Sequence, residues 1–259
     1  MRGRATGRGR GIGQGAAAGG GGAVVNPIVA LSPVFYWRAD DDPIAAAAAI
    51  TSIVDQSGNE NNLANNGANN ATMTAGKAGT NSKKYFKAPA GNITCEYEAT
   101  GIVTHTATGV TMFVVTYFDT GAPEAGTHRL LQTHLERNFI QLDQNNNTIE
   151  TYWTVDSSGA NLNATVPGLY IIAGRFNSAA GGNTGARTYF NSLTAADTQA
   201  LTNDVTLGAG AGDTGVTLLN DRGNSQEICE AVVFDSALSD ADFATVMNEL
   251  ASFYGVTLA

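Results

Sequence analysis

Positive charge is scarce in this chain, cysteine is scarcer, and a long hydrophobic run is missing altogether. There are 14 Lys and Arg against 23 Asp and Glu. Four of the cations, Arg2, Arg4, Arg8 and Arg10, crowd into the first ten residues, so residues 26–259 hold ten cations against all 23 acids, a net −13. An acidic body excludes nucleic acid as the partner of the globular part. No stretch approaches the ~18 consecutive apolar residues of a membrane-spanning helix, so membrane insertion is not expected. The two cysteines, Cys95 and Cys229, belong to no C-x-x-C pair, which argues against zinc.

Histidine is as thinly spread. His105, His128 and His134 have no metal-ligand spacing, and the last two would stand about 20 Å apart along one strand. There is no G-x-S-x-G elbow, and no glycine-rich phosphate loop stands between a strand and a helix. An E-x-D-x-E triplet, whose alternate acids on one strand could flank a glycosidic bond, is also missing. Glu227 and Glu230 are three apart, which predicts opposite faces of a strand. Glu96 and Glu98 share a face that reads as solvated. No catalytic residues are expected, and no resident cofactor beyond calcium.

What is present falls into two unlike parts. The first 22 residues contain ten glycines, four arginines, no acid and one large aliphatic side chain, Ile12. Such a segment has nothing to bury, and glycine loses the most conformational freedom on ordering. Residues 1–25 therefore read as a flexible cationic arm, with Arg2, Arg4, Arg8, Arg10 and Ile12 as its anchoring residues. The arm lacks the leucine-type core of a secretory signal and is too glycine-rich for an amphipathic transit helix, so assembly in the cytoplasm is expected.

Residues 26–259 read as one all-β domain. Strand-like runs recur at 34–39, 109–118, 129–133, 139–143, 148–155, 168–176, 187–191, 216–219 and 228–234, separated by Gly, Asn, Asp and Ser clusters, the rhythm of an antiparallel sandwich or barrel. Both cysteines sit in strand-like runs. Seven asparagines within 59–70 predict a long exposed loop, and Ala45–Ala49 a short helical turn. Glycine-rich turns are expected at 177–183 and 208–215. One true helix is predicted over 239–254. Ser239 is its N-cap with Asp242 in capping-box position, Phe243, Val246, Met247, Leu250 and Phe253 or Tyr254 form its apolar face, and Gly255 stops it. Trp37 and Trp153 lie inside strand runs, which favours core packing over sugar stacking.

Three segments together carry a resemblance. They are Leu31-Ser-Pro-Val-Phe-Tyr-Trp-Arg-Ala-Asp, the D-x-S-G-N-x-N-x-L pattern of Asp55 to Leu63, and the strand–turn–helix passage that starts at Cys229. In this order they resemble the concanavalin A-like, laminin-G-like jelly-roll domains of bacteriophage virion proteins, of the head-decoration or tail-appendage type. The resemblance spans about residues 31–256. It implies two stacked sheets, with strand 228–234 near strand 34–39 and the C-terminal helix over an exposed end. It places the strand after the asparagine-rich loop beside the last strand, which would make Cys95 and Cys229 neighbours; a disulfide and two buried free thiols are both open at this point. Calcium bound by Asp40, Asp42, Asp55 and Asn59 is a further implication.

The function the resemblance implies is non-enzymatic. A virion structural protein (capsid decoration, head fibre or tail fibre) would be joined to other virion proteins by its arm, as a homo-oligomer and first of all a homotrimer. The alternative is a carbohydrate-binding adhesin that recognises host surface glycans.

Overall fold

The computed structural model describes residues 26–89, 95–102, 109–118, 127–134, 138–143, 148–153, 156–161, 167–177, 185–199, 215–220 and 227–259. A helical turn not foreseen from the sequence opens it, α1 (Pro27–Ala30), where the Asn26 side chain accepts the Ile28 N–H at 2.9 Å and Pro27 takes the first helical position.

Two antiparallel sheets follow. Sheet A runs β14 (Asp197–Gln199), β13 (Ala186–Phe190), β12 (Gly168–Asn177), β7 (Gly109–Phe118), β16 (Glu227–Phe234), β5 (Tyr85–Lys87) and β4 (Thr72–Thr74), with β1 (Phe35–Arg38) also paired to β16. Sheet B runs β11 (Asp156–Asn161), β10 (Thr148–Trp153), β9 (Asn138–Asp143), β8 (Thr127–His134), β15 (Val216–Asn220), β6 (Tyr97–Ala99), β3 (Leu63–Asn65) and β2 (Ser52–Ile53). The two-sheet antiparallel jelly-roll sandwich that the resemblance implies is the fold observed. The first and last strands do pair, Phe35 opposite Val233 and Arg38 opposite Glu230.

Strand β7 explains the layering. Every one of its ten residues is buried, because sheet A is covered on both sides. Val110, Met112 and Val114 enter the core between the sheets with Trp37, Phe86, Tyr97, Ile172, Leu218 and Ile228. Phe113 and Val115 point the other way, into a second core completed by α2 (Asp240–Tyr254) through Phe243, Val246, Met247, Leu250 and Tyr254. The helix is capped as expected: the Ser239 hydroxyl accepts the Asp242 N–H at 3.1 Å, and Gly255 closes it at φ +68°.

Four expectations need correction. Helix α2 covers the outer face of sheet A rather than an end of the sandwich, because its apolar stripe matches the outward row of β7, β12 and β16. Ala45–Ala49 forms a turn and an isolated bridge from Ala49 to Thr72 instead of helix. The asparagine-rich segment contains β3, whose Leu63 is buried. The strand beside the start of β16 is β5, while Cys95 lies just before β6 in the other sheet. The stretches 177–183 and 208–215 fall largely outside the described residues.

Candidate functional site

The D-x-S-G-N segment sits against the open edge of β1 and replaces the strand that β1 lacks. Asp55 Oδ1 accepts the Tyr36 N–H at 3.0 Å, and the Tyr36 carbonyl accepts the Gln56 N–H at 2.7 Å. The Gln56 side chain accepts the Arg38 N–H at 3.0 Å and donates to the Arg38 carbonyl at 3.2 Å. Asn59 and Asn61 donate to the carbonyls of Pro33 and Val34 at 2.8 and 2.7 Å. An exposed edge with free N–H and C=O groups invites pairing with another chain, and this clamp satisfies them.

The clamp also occupies both side-chain oxygens of Asp55, one of the residues that sequence reading offered to calcium. Asp55 accepts three further bonds, from the Ser57 N–H and hydroxyl at 2.9 and 2.7 Å and the Asn61 N–H at 3.0 Å. Asp42 serves a separate system, accepting the Trp37 indole N–H at 2.8 Å and the Ile44 N–H at 2.9 Å. Asp40 accepts the Lys84 N–H at 3.1 Å and faces the Lys83 ammonium at 3.6 Å. Asp40, Asp42, Asp55 and Asn59 are thus divided between local tasks. Among the described residues no three His, Cys, Asp or Glu side chains gather as a metal-ligating group.

Glu227 and Glu230 turn out to share a face. A β-bulge between Ile228 and Glu230 adds one residue to β16, so the alternation slips and both carboxylates reach the outer side of sheet A. Neither is free for acid–base work. Glu230 is fully buried and receives the Arg38 guanidinium in a fork, 2.8 and 3.1 Å. Burial pushes its carboxyl above the usual range while Arg38 pulls it back. Glu227 lies between the ammonium groups of Lys77 at 2.6 Å and Lys87 at 3.1 Å, with Lys77 4.0 Å from the Tyr117 ring centre. Glu98, in turn, accepts the Asn66 amide at 3.0 Å on the exposed side of sheet B, as its solvated reading implies.

Both cysteines are free. Cys95 lies in the core between the sheets and Cys229 in the core beneath α2, so sheet A separates them and the implied disulfide is not made. Burial raises the Cys95 thiol to about 11 and pushes Cys229 well above its ordinary value. Trp37 is wholly buried edge-on to Phe86, a core residue as expected. The side chain of Trp153, and the arm residues Arg2, Arg4, Arg8, Arg10 and Ile12, lie outside the described residues.

A groove that the sequence reading missed opens on the outer face, between the start of α2 and strands β12 and β13. Its volume is about 510 Å³, and its lining includes Arg175, Arg187, Tyr189, Leu193, Thr194 and Asp240. Arg175 stands directly opposite Arg187 across the strand pair. Its guanidinium donates to Asp240, and that hydrogen bond holds the Asp240 carboxyl below the usual carboxylate range. Tyr189 and Phe243 form the floor, ring centres 4.2 Å apart, while Leu193 at the rim is 43% exposed. The signal for this site was faint but present: two of the body's ten cations stand within the strand runs Ala173-Gly-Arg-Phe and Arg187-Thr-Tyr-Phe.

No family model and no curated protein matches the chain. Solved structures do. The binding domain of botulinum neurotoxin DC in complex with rat synaptotagmin II is similar at a TM-score of 0.58 and 14% identity, over 86% of this chain and 52% of that one. The same toxin's binding domain in complex with SialylT gives 0.57 and 14%, again over 86% and 52%. A structure of botulinum neurotoxin type C, whose cell entry depends upon interaction with two ganglioside molecules, gives 0.55 and 12%, over 78% and 51%. The chain therefore spans about half the length of these neighbours, and at such identities the likeness establishes the sandwich fold.

Proposed function

We propose that this chain is a non-enzymatic attachment module that binds saccharide through its sandwich. The observation that carries this is the groove beside α2, in which a cationic pair and hydroxyl and aliphatic side chains line a space within the usual ligand range of about 300–1,000 Å³. The two buried carboxylates that share a strand face are locked by Arg38, Lys77 and Lys87, which supports binding over hydrolysis. The solved neighbours, two described as complexes with rat synaptotagmin II and with SialylT and one as a toxin whose cell entry depends upon interaction with two ganglioside molecules, lend the same direction. An immobilised glycan array probed with the full chain tests it: saturable binding to a defined saccharide set is expected, and uniform background across the array contradicts it.

The N-terminal sequence favours a placement for the module. Ten glycines and four arginines in 22 residues suit a segment that threads into an acidic groove on a larger assembly, where guanidinium groups make charge-assisted hydrogen bonds. Together with the three resembling segments, this supports a bacteriophage virion protein (capsid decoration, head fibre or tail fibre) whose arm docks on other virion proteins while the acidic sandwich faces outward to host glycans. Deleting residues 2–22 is expected to abolish incorporation into particles while the domain stays folded. Incorporation at normal occupancy contradicts the anchoring role. A homotrimer is the expected assembly, and sedimentation equilibrium that returns one chain mass contradicts it.

A further inference from the structure

We infer that the α2–β12–β13 groove recognises a carboxylate-bearing saccharide, with Arg175 and Arg187 as the recognition pair and Asp240 as a built-in stand-in for the ligand's carboxylate. The inference rests on the saccharide-binding reading above and names the ligand class. Arg175 and Arg187 are cross-strand partners on one sheet face. Like charges placed directly opposite each other destabilise a sheet, a cost that the Asp240 carboxylate offsets in the resting protein. The cost is the more telling because residues 26–259 hold only ten cations.

Asp240 shows what the pair accepts. Its side chain is 87% exposed, whereas that of Arg175 is 14% exposed and lies 5.9 Å from the Phe243 ring centre. The cation is fixed by its surroundings and the carboxylate reaches it from the solvent side. A ligand carboxylate can take the same position once Asp240 swings away, and Asp240 then returns to water at little cost. Arg187 adds a second charge in the same field; its influence on Asp240 is already felt. Beside this charged end the groove offers the exposed Leu193 and Thr194 and the half-buried Ala195, an apolar and hydroxyl-bearing wall. A carboxylate occupies the site in the resting protein, and a groove of about 510 Å³ favours a short acidic sugar over an extended acidic peptide.

Calorimetric titration of the full chain with 3′-sialyllactose, an oligogalacturonate, lactose and a glutamate-rich peptide tests the inference. At least one acidic saccharide is expected to bind while lactose does not. Arg187→Gln is expected to weaken that binding at least tenfold, and Asp240→Asn to strengthen it severalfold, because the internal competitor is removed. Melting temperatures of both variants serve as folding controls, and Arg187→Lys repeats the first test with the charge retained and the fork lost. Acidic or neutral saccharide binding that both groove variants leave unchanged overturns the groove assignment while the saccharide-binding reading stands. Preferential binding of the peptide also overturns it. Failure to bind any saccharide, there and on the array, overturns both.

Discussion

Arg38 holds together three parts of the molecule with one side chain. It forks onto Glu230 from β1 to β16, lies 3.8 Å from the Phe253 ring centre on α2, and faces Glu249 at 3.7 Å. Replacing it with methionine leaves a buried carboxylate without its counter-ion, and breaking such a pair from one side costs about 3–5 kcal/mol. Urea denaturation of Arg38→Met should show a loss of that order; a loss near zero contradicts the assigned role. Glu230 adds a pH signature. Its native pKa is raised by burial, so its contribution to stability is present below the ordinary carboxylate value and is lost as pH rises through the native one. The stability of the natural chain relative to Glu230→Gln should therefore fall as pH increases from 4 to 8, and a rise over that window contradicts this. None of this was legible in advance: residues 227 and 230 read as opposite faces, and only the bulge, which depends on pairing with β7, brings them together.

At the scale of elements, the D-x-S-G-N segment was legible as a motif but not as a device. Its residues suggest metal ligands or turn caps equally well, and the choice is made by where β1 ends up in the sheet. Asp55→Ala removes four accepted bonds at once, from the Tyr36 amide, the Ser57 amide and hydroxyl and the Asn61 amide, and is expected to cost about 3 kcal/mol. Amide exchange at Tyr36 should accelerate with it, and protection equal to that of the natural chain contradicts the clamp. Because those oxygens already have protein donors, chelation by EDTA should leave the melting temperature unchanged; a drop reversed by calcium points the other way. Helix α2 was the most readable element, since cap, stripe and stop all lie within 17 consecutive residues. What it packs on could not be read, because the outward row of β7 looks the same as its inward row. Phe243→Ala should cost about 3–5 kcal/mol through the cavity left against Phe113 and Tyr189.

At the scale of the whole molecule, three layers account for the composition. A sheet covered on both faces needs runs such as β7, and a sheet with one solvated face tolerates Glu98 and Asn66. The strands that the sequence concealed, β2, β3, β4, β5, β11 and β14, are short or polar and owe their existence to neighbours rather than to their own pattern. The groove is concealed for the same reason, since Arg175 and Arg187 meet only through strand register. The most direct measurement follows binding and cleavage together on one set of immobilised oligosaccharides, with the full chain in excess and reducing ends counted over time. Saturable binding without release of reducing ends is expected; turnover, or no binding at all, contradicts a non-enzymatic attachment module.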